Sequence, residues 1–401
     1  MLTLLLLAPG LSARAEGEGG GGGGGQTGSE GPQEPTSAEE TAEALPEPPL
    51  PPFELLGEQL EPGTRRKIAL RTTQSFIGAP IETPVIVAAG TEPGGTLCIV
   101  AGIHGDEVNG VEIVRRFMLG VDPESLTGNI VAVPIANVSA FRRGSRYLPD
   151  RRDLNRYFPG SAFGSSASRI AYGLFSRVIV HCDAVVDIHT GSFHRTNLHQ
   201  LRADVMQEGS GELAHAYSAE VVVNNPGRLG TLRRAATDAG IPAITVEAGE
   251  PSRFDRSQVE QALRGLARLV VARGMKAKEN GQLGRREVTV FQRTSWVRCD
   301  QGGILVSRIG LGDQVEAGEA LGTISDPLSG DVQQVLAPHN GRVIGMAVDQ
   351  LVMPGFAAYH IGLRPSAVGG ALEAEAPMSP DPSMLGLPDD PMGVELDERP
   401  E

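Results

Sequence analysis

Hydrophobic and polar positions divide the chain into segments of different character. From about 84 to 275, short continuous apolar runs alternate with longer stretches of helical periodicity. Strands without polar alternation are buried on both faces, so this order predicts an α/β domain in which helices cover both faces of a mostly parallel or mixed sheet. From about 283 the helical periodicity stops. Short apolar runs between Gly, Asp and Pro turns then predict a small all-β barrel or sandwich.

The two ends of the chain lack this pattern. MLTLLLLAPGLSARA combines a short apolar run with a small-x-small site, which is typical of a secretory signal peptide. Gly-, Pro- and Glu-rich segments with few large apolar residues predict disorder. We therefore divide the chain into a signal peptide at 1–15, a disordered linker at 16–51, a catalytic domain at 52–280, a β-barrel-like domain at 281–370 and a disordered acidic tail at 371–401.

The signal peptide predicts export to the periplasm or the medium, and a cytoplasmic protein is the alternative if this segment is only a tail. The apolar run is too short to span a bilayer. The formal charge of −14 comes from the ends: residues 1–51 carry −7 and residues 371–401 carry −8, which leaves 52–370 close to +1. This near-neutral central part argues against a nucleic-acid-binding face.

Three cysteines are too few and too widely spaced to predict a disulfide framework. Cys98 and Cys182 lie inside apolar runs, so we expect them to be buried as small hydrophobic residues.

Two motifs at strand ends contain potential metal ligands. AGIHGDEVNG places His104 and Glu107 three residues apart after an apolar strand, at the start of a helix. AVVDIHTG ends a second strand at His189, with Asp187 two residues earlier on the same side and able to orient the imidazole. Because the carboxyl ends of such strands face the ligand crevice, we expect the two imidazoles and the Glu107 carboxylate to bind one Zn²⁺ per chain.

A third strand, AITVEAGE, ends in Glu247, and a carboxylate at the end of a buried strand requires a partner. Three protein ligands leave a fourth zinc position for water, and a nearby carboxylate can accept its proton. We therefore predict Glu247 as the general base, ahead of Glu250, which lies beyond the strand.

The window SRYLPDRRDLNRYFPG is rich in arginine. An Asn-Arg pair, Asn155 and Arg156, can bind a substrate carboxylate, and a separate arginine can stabilise an oxyanion. We expect Arg142, Arg143 and Arg151 to be solvated.

With GxHGDE, RDLNRxFPG, DxHTG and VEAG in this order, the chain resembles the succinylglutamate desuccinylase/aspartoacylase family, relatives of the zinc carboxypeptidases. The resemblance implies a zinc carboxypeptidase-like fold, with the zinc ligands, base and Asn-Arg pair named above. It also implies Arg146 as the oxyanion-stabilising residue, and Arg233 or Arg234 as a further substrate contact. Tyr359 is a candidate for a substrate-contacting tyrosine of the C-terminal domain.

These features predict a deacylase for an N-acyl amino acid or small peptide with a free carboxylate. A cell-envelope carboxypeptidase or amidase would use the same residues. A non-catalytic binding module that retains the fold is a third hypothesis. The oligomeric state, the acyl group and the role of the tails stay open.

Overall fold

The computed structural model describes residues 50–74, 77–277, 287–348 and 350–364. The predicted signal peptide, nearly all of the linker and the acidic tail lie outside these residues. No helix in the described ranges is long and apolar enough to cross a membrane.

Helices and strands alternate through the first part of the chain, as the apolar runs predict. The helices are α1 (Val108–Gly120), α2 (Val138–Phe141), α3 (Ser166–Arg177), α4 (Glu208–Tyr217), α5 (Leu232–Asp238) and α6 (Arg256–Ala272). The strands of this part are β1 (Phe53–Leu55), β2 (Glu58–Leu60), β3 (Thr64–Gln74), β4 (Pro80–Ala89), β5 (Glu92–Ala101), β6 (Thr127–Val133), β7 (Ala184–His189), β8 (Arg195–Ala203), β9 (Val221–Asn224) and β10 (Ala243–Gly249).

In the remaining described residues, the regular secondary structure consists of β-strands. They are β11 (Thr289–Phe291), β12 (Thr294–Arg298), β13 (Gly303–Ser307), β14 (Gln314–Val315), β15 (Ala320–Ser325), β16 (Val332–Leu336), β17 (Gly341–Ala347), β18 (Gln350–Val352) and β19 (Ala357–Leu363).

One mixed sheet of 13 strands organises the molecule, with the central order β12-β19-β17-β8-β10-β7-β5-β6-β4-β3. β10, β7, β5 and β6 are parallel neighbours, whereas β8 pairs with β10 antiparallel. Helices α1, α4 and α6 pack on one face, and α3 and α5 pack on the other. The predicted α/β architecture with a mixed sheet is therefore confirmed.

The C-terminal strands do not stand apart from this sheet. β17 pairs antiparallel with β8, and β19 and β12 extend the sheet beyond it. β13, β15, β16 and β18 form a separate four-stranded sheet. The sequence prediction of an all-β region after about 283 is thus correct, but several of its strands complete the large mixed sheet instead of closing a barrel of their own.

The prediction that the cysteines form no disulfide was wrong. Cys98 of β5 and Cys182, which precedes β7, form a disulfide with Cα atoms 5.8 Å apart. Both residues are buried, as expected, but they lie 84 residues apart in sequence and are brought together only by the packing of β5 beside β7. Cys299 is a buried free thiol.

Candidate metal and catalytic site

Two imidazoles and a carboxylate meet at the carboxyl ends of β5 and β7. His104 and Glu107 follow β5 in the turn that begins α1, and His189 is the last residue of β7. All three side chains are buried, and one ligand atom from each lies within 4.8 Å of the other two. The parallel pairing of β5 with β7 brings these loops to the same edge of the sheet.

Both imidazoles face Glu107 through Nδ1. His104 Nδ1 lies 2.7 Å from Glu107 Oε1, and His189 Nδ1 lies 2.9 Å from Glu107 Oε2. The two Nδ1 atoms are 3.2 Å apart. Two imidazole nitrogens and one carboxylate oxygen are the donor set of catalytic zinc sites, so these residues fit Zn²⁺ better than the oxygen-seeking Mg²⁺.

Each imidazole also contacts a further carboxylate through its Nε2 atom. Asp187 Oδ2 lies 2.9 Å from Nε2 of His189, where the sequence pattern placed it. Asp153 Oδ1 lies 3.0 Å from Nε2 of His104. Both contacts favour the tautomer with Nε2 protonated, which leaves Nδ1 free for a metal. Sequence analysis missed Asp153, because the charged loop around it gives no indication that it folds over His104.

The charges of these residues are strongly coupled. Burial acts to raise the pKa of Glu107, but the two imidazoles outweigh it and lower that pKa well below its usual range. Burial acts to lower the pKa of His189, but Asp187 and Glu107 raise it well above its usual range. The cluster therefore attracts positive charge, whether as protons or as a cation.

Glu247 lies beside this cluster. It is directly opposite His189 in the parallel pairing of β10 with β7, and it is buried. Asn197 Nδ2 donates to its Oε2 at 3.0 Å, and Nε of Arg202 lies 2.9 Å from its Oε1. Glu250 lies after β10 and accepts a hydrogen bond from Arg253 at 2.9 Å. Register with His189 thus distinguishes Glu247 from Glu250.

Sequence analysis missed Asn197 and Arg202. Both lie on β8, a buried strand with the sequence RTNLHQLRA. Polar residues on a buried strand need partners, and this was the only available indication of their role.

Arg146 reaches the metal-binding residues from the arginine-rich loop. Its Nη1 lies 3.4 Å from Glu107 Oε1, and its Nη2 donates to Asp153 Oδ2 at 3.0 Å. The ring of Phe193 covers the guanidinium, with 5.5 Å between the Arg146 Cζ atom and the ring centroid. Arg142, Arg143 and Arg151 are exposed.

Asn155 and Arg156 lie in a short 3-10 helix, Leu154–Arg156. Asn155 Nδ2 is 3.4 Å from Nε2 of His189, and its Oδ1 accepts from the backbone N–H of Leu232 at 2.9 Å. Arg156 Nη1 donates to the Asn155 carbonyl at 2.9 Å, and about a quarter of the Arg156 side chain is exposed. Asn155 thus lies buried beside the metal-binding residues, whereas Arg156 is partly accessible to solvent.

Arg233, at the start of α5, is buried and donates to the carbonyl and Oδ1 of Asn225 at 2.8 and 2.6 Å. Burial and the nearby Arg202 lower its pKa to about 10. Arg234 pairs with Asp238 at 2.7 Å instead. The two arginines that the sequence left as alternatives therefore lie in different environments, and Arg233 is the one in the interior.

The prediction that Tyr359 contacts the substrate is wrong, because this residue packs inside the C-terminal strands. It is fully buried in the core of the C-terminal strands, where its hydroxyl donates to the Leu321 carbonyl at 3.2 Å and contacts Ser307 at 2.9 Å. The next residue, His360, stacks on Trp296 with 4.2 Å between ring centroids.

Comparison with known proteins relates the central part of the chain to one protein family. Residues 93–273 match the family model described as the succinylglutamate desuccinylase/aspartoacylase catalytic domain. An N-alpha-acetyl-L-2,4-diaminobutyric acid deacetylase of Halomonas elongata is 34% identical over 127 residues, which cover 31% of this chain and 36% of the deacetylase. The match thus spans about a third of that relative.

Solved structures share the fold over most of the chain. A succinylglutamate desuccinylase/aspartoacylase of Rhodobacter sphaeroides has a TM-score of 0.68 at 23% identity, covering 76% of this chain and 95% of that one. The product-bound ectoine utilization protein EutE (DoeB) of Ruegeria pomeroyi has a TM-score of 0.68 at 24% identity, covering 75% and 95%.

Proposed function

Because the chain belongs, through residues 93–273, to the succinylglutamate desuccinylase/aspartoacylase family of deacylases, we propose that it is a zinc-dependent amide hydrolase. Its substrate is an N-acyl amino acid or a small peptide that carries a free carboxylate. The observation that carries the proposal is the position of Glu247, which lies opposite His189 in the strand register, while the Nδ1 atom of His189 lies 3.2 Å from that of His104.

In this proposal His104, Glu107 and His189 bind one zinc ion. When bound, zinc would supply a Lewis acid for the amide carbonyl and bring the pKa of a water molecule toward neutrality. Glu247 accepts a proton from the attacking water and delivers it to the leaving nitrogen. Arg146 stabilises the negative charge that develops on the carbonyl oxygen.

Asn155 and Arg156 bind the free carboxylate of the substrate. Arg156 is suited to this role because its guanidinium is partly exposed and is fixed at one end by the Asn155 carbonyl. Arg233 is a further substrate-binding candidate in the interior, held by Asn225.

A substrate panel tests the proposal. With zinc present, we expect N-acyl amino acids to be hydrolysed with a kcat/KM about 10- to 100-fold higher than their α-carboxamides, the equivalent of a charge-assisted hydrogen bond of about 1.5–3 kcal/mol. In Arg156→Ala this preference should fall to a few-fold with the zinc content unchanged. Arg143→Ala, an exposed arginine of the same loop, is the matched control.

The panel also separates the alternatives. Cleavage of muropeptides but not of N-acyl amino acids would favour the cell-envelope carboxypeptidase or amidase. Full zinc loading without turnover of any amide would favour the binding module. An unchanged carboxylate preference in Arg156→Ala would exclude Arg156 from binding the substrate carboxylate.

We also propose that the protein is exported. The support, besides the N-terminal sequence pattern, is the disulfide between Cys98 and Cys182, since disulfides persist mainly in oxidising compartments. After expression of the full chain we expect the protein in the periplasmic or culture fraction, with Cys98 and Cys182 protected from alkylation in denaturant until a reductant is added. A cytoplasmic protein with two free thiols at these positions would contradict export.

A further inference from the structure

The C-terminal strands approach the proposed general base through β8. β17 pairs with β8, and the register places Gly345 opposite Asn197. Asn197 is buried and donates from Nδ2 to Oε2 of Glu247 at 3.0 Å. The Asn197 side chain thus connects β17 to Glu247.

The close approach of β17 to Asn197 depends on position 345 being glycine, which has no side chain. A Cβ atom added there would lie 2.7 Å from Asn197 Oδ1 and 3.4 Å from the His360 Cβ atom. The first distance is too short for a real contact, so any larger residue must displace the Asn197 amide. Gly345 has no positive φ, so space and not backbone conformation is what requires glycine here.

The Asn197 amide restricts where the Glu247 carboxylate can point. Arg202 Nε lies 2.9 Å from Oε1, although its N–H is not aligned for a hydrogen bond. Among the described residues, Arg202 has no other side-chain hydrogen bond or ion pair. Without the Asn197 donor, the carboxylate is free to rotate toward this guanidinium, which would occupy the oxygens needed for proton transfer.

We propose that Asn197 is a positioning residue, which holds Glu247 in the orientation for proton transfer, and that β17 holds Asn197 in turn through the close approach of Gly345. The inference rests on the proposed function, because it assumes that Glu247 is the base. It assigns the C-terminal region a part in catalysis that acts through a named hydrogen bond.

Asn197→Leu is the first test, since it nearly keeps the shape of the side chain, removes the donor and adds no charge beside Glu247. We expect kcat to fall about 10- to 100-fold, with KM within about two-fold and one zinc retained per chain, because the loss concerns only the base. Asn197→Ala should behave in the same way. A protein with a merely structural Asn197 would lose stability without this selective change in kcat.

Gly345→Ala is the second test and leaves every proposed active-site residue intact. We expect a drop in kcat of about ten-fold with unchanged zinc content. Gly310→Ala in the same region is the matched control: it has no positive φ, and its Cβ would meet only Asp313 Oδ2, at 3.6 Å. If Gly345 acts through Asn197, adding Gly345→Ala to Asn197→Ala should lower kcat no further.

Crystal structures of the wild type and of Gly345→Ala provide a readout independent of turnover. We expect the variant to lose the hydrogen bond between Asn197 and Glu247. An undisplaced Glu247 carboxylate in the variant, or additive losses in the double variant, would overturn the inference. Activity that needs Glu247 but is unaffected by Asn197→Leu would also overturn it. A wild type inactive on the whole panel would instead refute the proposed hydrolase.

Discussion

Glu247→Gln is expected to lower kcat on an N-acyl amino acid by about 10²- to 10⁴-fold, the usual contribution of general acid-base catalysis. The amide keeps the size of the side chain but cannot accept the proton of the attacking water. Because Glu247 is not one of the three proposed ligands, the zinc content should stay at one per chain. Steady-state kinetics together with metal analysis of the purified variant would measure both quantities.

Glu250→Gln is the matched control for this variant. Glu250 is a nearby carboxylate, three residues later, that pairs with Arg253. It should retain nearly full activity. Retention of more than about a tenth of wild-type kcat in Glu247→Gln would exclude Glu247 as the base, and loss of activity in Glu250→Gln would point to Glu250 in its place.

Glu107→Ala should lose most of its bound zinc. The substitution removes one of three ligand side chains and leaves His104 and His189 with Nδ1 atoms only 3.2 Å apart and no carboxylate between them. We expect well under one equivalent of zinc after dialysis, and an activity loss as large as that of Glu247→Gln. The thermal stabilisation that zinc gives the wild type should disappear.

A surface glutamate of the same helix provides the control. Glu112 of α1 pairs with Arg115 at 2.6 Å and does not contact the imidazoles. Glu112→Ala should bind zinc like the wild type. Full zinc occupancy in Glu107→Ala would show that the ion is bound by other residues, and the proposed site would then be wrong.

The two predictions distinguish catalysis from metal binding. A hydrolase should lose turnover in both variants but lose zinc only in Glu107→Ala. A binding module that retained the fold would show the same loss of zinc with no turnover in the wild type.

Part of the site was predictable from local patterns because it follows the ends of secondary structure. His189 is the last residue of β7, Glu247 lies two residues before the end of β10, and His104 and Glu107 lie between the end of β5 and the start of α1. Parallel strands bring such ends to one edge of the sheet, so the order of the motifs is sufficient to expect convergence. Asp187 could be placed in the same way, two residues before His189 on one side of the strand.

Other residues could not be placed from the chain alone. Asn197 and Arg202 contact Glu247 only because β8 pairs with β10 antiparallel in one particular register. Asp153 contacts His104 because a loop 49 residues further along folds over it. Local periodicity does not predict these pairings, since each depends on how distant segments pack.

The pairing of the C-terminal strands and of the cysteines could not be predicted from the sequence either. Turn residues and short apolar runs were enough to recognise β structure after about 283, but not to predict that β17 would join the large mixed sheet beside β8. Likewise, apolar neighbours predicted burial for Cys98 and Cys182, but not their bond.

Local sequence thus specified which elements form and which chemical groups stand at their ends, because backbone propensity and hydrophobic periodicity act over a few residues. Strand register, loop placement and the approach of Gly345 to Asn197 were decided only in the folded molecule. These depend on contacts between segments far apart in the chain, and their energies arise only once the sheet has assembled.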